Sequence, residues 1–162
     1  MIKRVKATKV GDVFEVKISD TEKKYMQYVA SDLTQLNSDV VRGFAKIYDI
    51  AAKPSLEEIV SDDVEFYSHC DSRYGIKTEL WTLYGNIQDI GDLKKAIFRD
   101  TNDAGDVIST RWYIWHINED FVRVDNKDLR LKKSYYGVVY PAKMIFFRIK
   151  NGYFYGVEPR YE

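Results

Sequence analysis

The sequence predicts a mainly β fold of the β-rich α+β class, and two observations carry that prediction. Aromatic residues are abundant, with 13 Tyr, 8 Phe and 3 Trp among 162 residues, and aromatic side chains favour strands. The segment T-R-W-Y-I-W-H-I-N-E-D-F-V-R-V at residues 110–124 places bulky groups on both faces of an extended chain. That pattern is typical of an interior strand covered above and below. We therefore expect a single domain of antiparallel strands, in a strongly twisted sheet or partly open barrel, with one or two short helices.

Trp112 and Trp115 lie at the predicted centre of this domain. Two tryptophans so close together are a large apolar contribution for a small protein, so we interpret them first as core and only second as a binding surface. Asn118-Glu119-Asp120 then predicts a turn into residues 121–124.

Composition fits a soluble cytoplasmic protein. Apolar residues make up 45% of the chain and charged residues 31%, which is ordinary for a globular domain able to bury a sizeable core. The single cysteine, Cys70, excludes an intrachain disulfide and gives no sign of secretion. The opening M-I-K-R-V-K lacks the apolar run of a signal peptide, and no stretch approaches the roughly 18 apolar residues of a membrane span.

The first third of the chain contains one clear strand and one ambiguous segment. Residues 10–18 alternate, with Phe14, Val16 and Ile18 on one face. Residues 23–36 fit a helix, because Ser19-x-x-Glu22 resembles a capping box and apolar residues follow at helical spacing. Residues 24–30, K-Y-M-Q-Y-V-A, also fit a strand that pairs with the first through a short turn.

The middle of the chain predicts short elements separated by polar turns. Gly43 lies inside a predicted strand and indicates a bulge or a close contact. Ser55 opens a short helix that ends by Ser61, with Glu58 able to reach back to it. Asp92 caps a single turn through Phe98. The predicted strands are residues 40–50, 64–70 and 76–84, the second and third joined by a turn at 71–73, and residues 101–106 form a surface loop.

The last third predicts further strands. Residues 126–133 are polar and basic, and residues 135–140 and 142–149 are strong strand candidates interrupted at Pro141. Asn151-Gly152 is a hairpin signal that leads into a final strand at residues 153–157.

Several short phrases together resemble the immunity protein 26 family of bacteria. They are G-D-V-F-E-V-K-I at 11–18, K-K-Y-M-Q-Y-V-A at 23–30, I-Y-D-I at 47–50, L-W-T-L-Y-G-N at 80–86 and W-Y-I-W at 112–115. The resemblance implies that residues 24–30 are a strand, and we adopt that interpretation. It also implies a protein that occludes a toxin delivered into competing cells, made in the cytoplasm of the toxin-producing cell. It supplies no catalytic residue, and the acidic region before Val64 departs from it.

The sequence offers few residues that could form a catalytic site or a metal site. A nucleophilic pair would need Cys70 to meet His116, because His69 is its neighbour in a strand and points to the opposite face. A zinc site would need His69, Cys70, Asp71 and His116 without any usual ligand spacing. We expect instead a small buried thiol beside a surface histidine, with no catalytic residue, no metal and no cofactor.

Basic residues beside aromatic ones support an alternative hypothesis. Arg130, Lys132 and Lys133 precede Tyr135 and Tyr136, and Arg111 adjoins Trp112. Such strands can form a stacking platform with a basic rim for single-stranded nucleic acid. The formal net charge of zero and the absence of an RNA-recognition motif weigh against it.

Charge is unevenly distributed along the chain. Lys and Arg minus Asp and Glu gives +2 for residues 1–50 (nine basic, seven acidic), −6 for 51–110 (six, twelve) and +4 for 111–162 (ten, six). The leading hypothesis is a non-enzymatic immunity protein whose acidic surface steers a basic toxin, such as a nuclease domain. The predicted contact residues are Glu57, Glu58, Asp62, Asp63 and Glu65.

Overall fold

Two open, twisted sheets form the protein, for which a computed structural model describes residues 4–162. Within that range the helices are α1 (Leu56–Val60), α2 (Ser72–Lys77) and α3 (Ala142–Asn151), with 3-10 helices at Leu93–Lys95 and Leu129–Lys133. The strands are β1 (Asp12–Lys17), β2 (Glu22–Asp32), β3 (Ser38–Phe44), β4 (Tyr48–Asp49), β5 (Val64–Cys70), β6 (Thr82–Asn86), β7 (Ile97–Asp100), β8 (Arg111–His116), β9 (Val122–Asp125), β10 (Tyr135–Tyr136) and β11 (Val139–Tyr140). The predicted mainly β class is confirmed, and the sheets do not close into a barrel.

The larger sheet has the order β11-β5-β3-β2-β1-β6, and β4 pairs with the start of β2. Its central strands pair antiparallel, with Phe14 opposite Met26 and Tyr28 opposite Val41. One face of this sheet packs against α2 and α3. The other face packs against α1 at one end and against the smaller sheet at the other.

The smaller sheet has the order β10-β7-β8-β9, so β8 is an interior strand as predicted. Trp115 faces the larger sheet and packs with Phe98. Trp112 and Ile114 face the other way and pack on Leu131. Both tryptophans are buried, which confirms the prediction that this segment is covered on both faces.

Most of the segment 23–36, whose periodicity also fitted a helix, belongs to strand β2, and residues 33–36 form the turn that follows it. β2 is almost continuously buried because both of its faces are covered, so its apolar residues do not alternate. Ser19 accepts hydrogen bonds from the main-chain N–H groups of Thr21 and Glu22. The apparent capping box therefore caps the turn between β1 and β2 rather than a helix.

The strand predicted at residues 40–50 is interrupted. β3 ends at Phe44, and β4 resumes pairing with β2 at Tyr48. The register shifts between Gly43 and Phe44, and a Cβ at Gly43 would collide with the Phe66 ring. The bulge and the close contact predicted at Gly43 are both present.

The strand predicted at residues 76–84 is wrong in its first half. Asp71 caps α2 by accepting a hydrogen bond from the main-chain N–H of Tyr74, so the expected turn at 71–73 begins a helix. Gly75 lets α2 lie directly against the indole of Trp81, since a Cβ there would overlap that ring. Strand β6 then begins at Thr82.

The strand predicted at residues 142–149 is also wrong, because these residues form α3. Ala142, Ile145 and Ile149 follow helical spacing and pack against the larger sheet. Gly152 adopts a left-handed conformation (φ 86°) that ends the helix, so Asn151-Gly152 is not a hairpin turn. Residues 153–157 form no strand.

Residues 135–140 join the two sheets. β10 pairs parallel with β7 in the smaller sheet, and β11 pairs parallel with β5 in the larger one. The antiparallel arrangement expected throughout is therefore correct except at these two strands. No helix in residues 4–162 is both long enough and apolar enough to span a membrane.

Candidate functional site

The structure places Cys70 and His116, the only nucleophilic pair considered from the sequence, in different sheets. Cys70 ends β5 in the larger sheet and is fully buried, and burial raises its pKa well above the usual value of a thiol. His116 ends β8 in the smaller sheet, opposite Ile97. A buried neutral thiol is a poor nucleophile. The expectation of a buried thiol is confirmed.

His69 is buried rather than exposed, so the predicted surface histidine is wrong. Its Nε2 lies 2.9 Å from Oδ2 of Asp32, and both side chains have no solvent exposure. The imidazole ring packs 4.3 Å from the ring of Phe98, centroid to centroid. Burial lowers the pKa of His69, and this effect outweighs the opposing influence of Asp32.

The hydrogen bonds of His69 indicate one tautomer. Its Nδ1 is buried and has no hydrogen-bond partner among the described residues. A proton on that nitrogen would be an unsatisfied buried donor, which is costly. We therefore assign the neutral ring with the proton on Nε2, donating to Asp32.

The Asp32 carboxylate accepts hydrogen bonds from four donors, which come from three parts of the chain. Besides His69, it accepts hydrogen bonds from Nε1 of Trp115 at 3.1 Å and from the main-chain N–H groups of Asn118 and Gln35 at 3.1 and 3.3 Å. No solvent reaches the carboxylate, so this network has no access for a substrate. The network joins the two sheets.

The residues considered for zinc do not converge. Within residues 4–162 no group of three or more His, Cys, Asp or Glu side chains is placed to hold a metal ion. Asp71 is occupied as the cap of α2, and His69 is bound to Asp32.

The five predicted acidic contact residues divide into free and occupied carboxylates. Glu57 and Asp63 are exposed, and neither side chain forms a hydrogen bond or ion pair with a described residue. Glu58 is exposed but pairs with Nζ of Lys46 at 2.9 Å instead of reaching back to Ser55. Asp62 accepts a hydrogen bond from the main-chain N–H of Lys46.

Glu65 has a structural role. Its carboxylate lies 2.7 Å from Nζ of Lys24, a lysine that is almost fully buried, and 3.5 Å from Nη1 of Arg148 on α3. Removing this carboxylate would leave a buried ammonium without a partner, which is strongly unfavourable. A change at Glu65 therefore affects folding as well as any binding at the surface.

The aromatic residues of the alternative nucleic-acid platform are buried or half-buried. Trp112 is buried and donates its Nε1 hydrogen to the carbonyl oxygen of Ser109. Tyr135 packs edge-on against Tyr67, and Tyr136 is covered by the apolar residues around it. Trp112 therefore offers no surface on which a base could stack, and Tyr135 and Tyr136 are only partly exposed.

Arg130 is also occupied, because its guanidinium forms two hydrogen bonds with Asp128 at 2.7 and 3.0 Å. Those bonds lower the pKa of Asp128 to about 2. Lys132 is exposed and makes a long contact with Glu162.

An exposed aromatic surface was not predicted from the sequence. Phe147 on α3 meets the rings of Tyr153 and Tyr155 edge-on, with centroids 5.3 and 4.8 Å apart. Tyr153 is 60% exposed and Tyr155 is 50% exposed. Together with Phe146, Lys143 and Lys150 they form what we call the aromatic surface, beside a shallow depression of about 570 Å³.

The helical period of residues 142–151 carried the signal for this surface. Once Ala142, Ile145 and Ile149 are placed on one face of a helix, Phe146 and Phe147 fall outside the best-buried stripe. Their strand propensity hid that pattern.

No protein-family model, curated protein or solved structure matches this chain at a significant level.

Proposed function

We propose that this protein is a non-enzymatic, cytoplasmic immunity protein that binds a bacterial protein toxin and neutralises it. The observation that carries the proposal is the aromatic surface, where Phe147, Tyr153 and Tyr155 form an edge-on cluster open to solvent. The phrases that resemble the immunity protein 26 family supply the biological class of the partner.

The aromatic surface has the features of a protein-binding site. Tyr and Phe are enriched at the centres of interfaces, where they bury large areas at a small cost in conformational entropy. Edge-on packing on Phe147 restrains both tyrosines before a partner arrives, and a restrained contact loses less entropy on binding. Lys143 and Lys150 flank the rings and supply a polar rim.

The free acidic residues support a second part of the same interface. No residue in the range 4–162 pairs with the charge of Glu57 or Asp63. Charge of this kind accelerates association with a basic protein without adding much affinity. The ion pair between Glu65 and Arg148 connects the acidic region to α3, which bears the aromatic surface. We propose that the aromatic residues supply affinity and that Glu57 and Asp63 steer a basic toxin.

The test is affinity purification of the tagged protein from its native cell, with nuclease treatment and washes at low and high salt. The expected result is one stoichiometric protein partner that arrests growth when expressed alone and is neutralised by co-expression of this chain. The Tyr153→Ala/Tyr155→Ala variant should bind it at least about tenfold more weakly. Phe121→Ala is the matched control, since Phe121 is an exposed aromatic residue of the smaller sheet region.

Two results would overturn the proposal. Recovery of nucleic acid that is lost at high salt would favour the single-stranded nucleic-acid hypothesis, because such binding weakens steeply with salt. Recovery of a protein partner that is harmless when expressed alone would show that the partner is not a toxin.

A further inference from the structure

A second concave surface lies at the opposite end of the larger sheet from β11. A groove of about 770 Å³ runs between residues 4–9 and strand β6. Ile76, Trp81 and Leu83 supply its apolar side. Leu83 is 54% exposed, although leucine gains from burial. The groove therefore presents apolar surface that nothing in residues 4–162 covers.

Strand β6 leaves one of its edges open at this groove. It is the last strand of the larger sheet, and β1 is its only strand partner among the described residues. An open edge carries main-chain N–H and C=O groups that can pair with a further strand. Natural proteins often protect such edges. Here Thr82, Leu83, Gly85 and Asn86 of β6 line the groove.

The groove is strongly basic. Arg4, Lys6, Lys9 and Lys77 line it, and all four side chains are exposed and form no ion pair with any described residue. Of its two carboxylates, Asp12 is buried and already accepts hydrogen bonds from the main-chain N–H of Lys9 and from Asn86. Glu79 is thus the one exposed acidic group among the groove residues described.

We propose that this groove binds an extended acidic peptide segment of a partner protein, which adds to the open edge of β6 as a further strand. Main-chain hydrogen bonds to β6 hold the segment. Every second side chain of the segment faces the groove. Apolar residues among these positions cover Leu83 and Ile76, and acidic residues among them meet the exposed basic groups that line the same groove. The inference does not depend on the proposed toxin.

A direct binding experiment tests it. The probe is a fluorescently labelled peptide of strand length, in which Val and Glu take turns at every second position and Thr fills the positions between. Its anisotropy is followed at low ionic strength, where surface charge is least screened. We expect binding that weakens by about tenfold or more in the Lys6→Glu/Lys77→Glu variant. The matched control is Lys53→Glu/Lys94→Glu, which reverses the same number of exposed lysines outside the groove and should bind within about twofold of wild type.

A second peptide separates strand addition from simple attraction between charges. This peptide has the sequence of the first except that its central residue is proline, which cannot donate a main-chain hydrogen bond in a sheet. We expect it to bind at least about tenfold more weakly than the alternating peptide. Equal binding of the two peptides, equal loss in the two lysine variants, or no binding of the alternating peptide at about 1 mM would each overturn the inference.

Discussion

Nε1 of Trp115 donates a hydrogen bond to Oδ2 of Asp32 over 3.1 Å, and this bond ties the smaller sheet to the larger one. Asp32 ends β2 and Trp115 lies in β8, and both are almost or fully buried. In an interior without water, a carboxylate is well stabilised when several hydrogen-bond donors surround it. The same donors are destabilising if the carboxylate is removed, because they then have no acceptor.

Loss of the Asp32 carboxylate should be costly. Asp32→Ala leaves the buried donors of His69 and Trp115 unsatisfied and removes the partner of two partly buried main-chain N–H groups, so we expect the free energy of unfolding to fall by about 3 kcal/mol. Trp115→Phe removes one donor and part of the ring, and should cost about 1–2 kcal/mol. Urea unfolding followed by circular dichroism measures both. Asp103→Ala, at an exposed loop position, is the control and should change stability little; a similar loss there would refute a special role for Asp32.

His69 should make stability depend on pH. Its folded-state pKa lies below the ordinary value of 6.5, so the unfolded chain takes up this proton first as pH falls. The stability that neutral His69 contributes to the folded state is therefore fully present above about pH 6.5. It is lost as the pH falls from that value through the lower folded-state pKa. The free energy of unfolding of His69→Gln should be lower than that of wild type at pH 7. Between pH 7 and about pH 5 it should fall by less than that of wild type. Equal slopes in the two proteins would mean that other groups control this range.

Gly43 should not tolerate a methyl group. Its Cβ position is occupied by the ring of Phe66, so Gly43→Ala should lower the free energy of unfolding by about 1–3 kcal/mol. The Phe66→Leu background tests the cause, because a smaller side chain leaves room for the methyl group. If the penalty for Gly43→Ala is unchanged in that background, the contact with Phe66 is not its source.

Glu79→Gly should stabilise the protein. Glu79 follows α2 in a left-handed conformation (φ 60°), with hydrogen bonds from its own N–H to Ile76 and from the N–H of Leu80 to Gly75. This pattern favours glycine at the position of Glu79. We expect a gain of about 0.5–1 kcal/mol, or a few degrees in Tm, by calorimetry. Glu79→Ala removes the charge but keeps the strained conformation, so an equal gain from alanine would assign the effect to charge.

The alternation of β1 and the two-sided pattern of β8 could be predicted because the apolar residues of each strand mark the faces that other layers cover. α3 could not, since Ile145, Phe146 and Phe147 prefer strands locally and only packing on the larger sheet favours the helix. The acidic character of residues 57–65 is visible in the sequence. Their pairing with Lys46, Lys24 and Arg148 was not visible, because those partners come from distant parts of the sequence.

The two parallel strands of residues 135–140 have a consequence for how the protein loses its structure. A segment of six residues supplies β10 to one sheet and β11 to the other, and the rings of Tyr135 and Tyr136 enter the apolar clusters on both sides. Unfolding of either sheet therefore also disturbs the edge strand of the other sheet, because β10 and β11 belong to one short segment. The protein should therefore denature as one cooperative unit, with the tryptophan fluorescence of β8 and the far-ultraviolet signal of the larger sheet changing at the same midpoint.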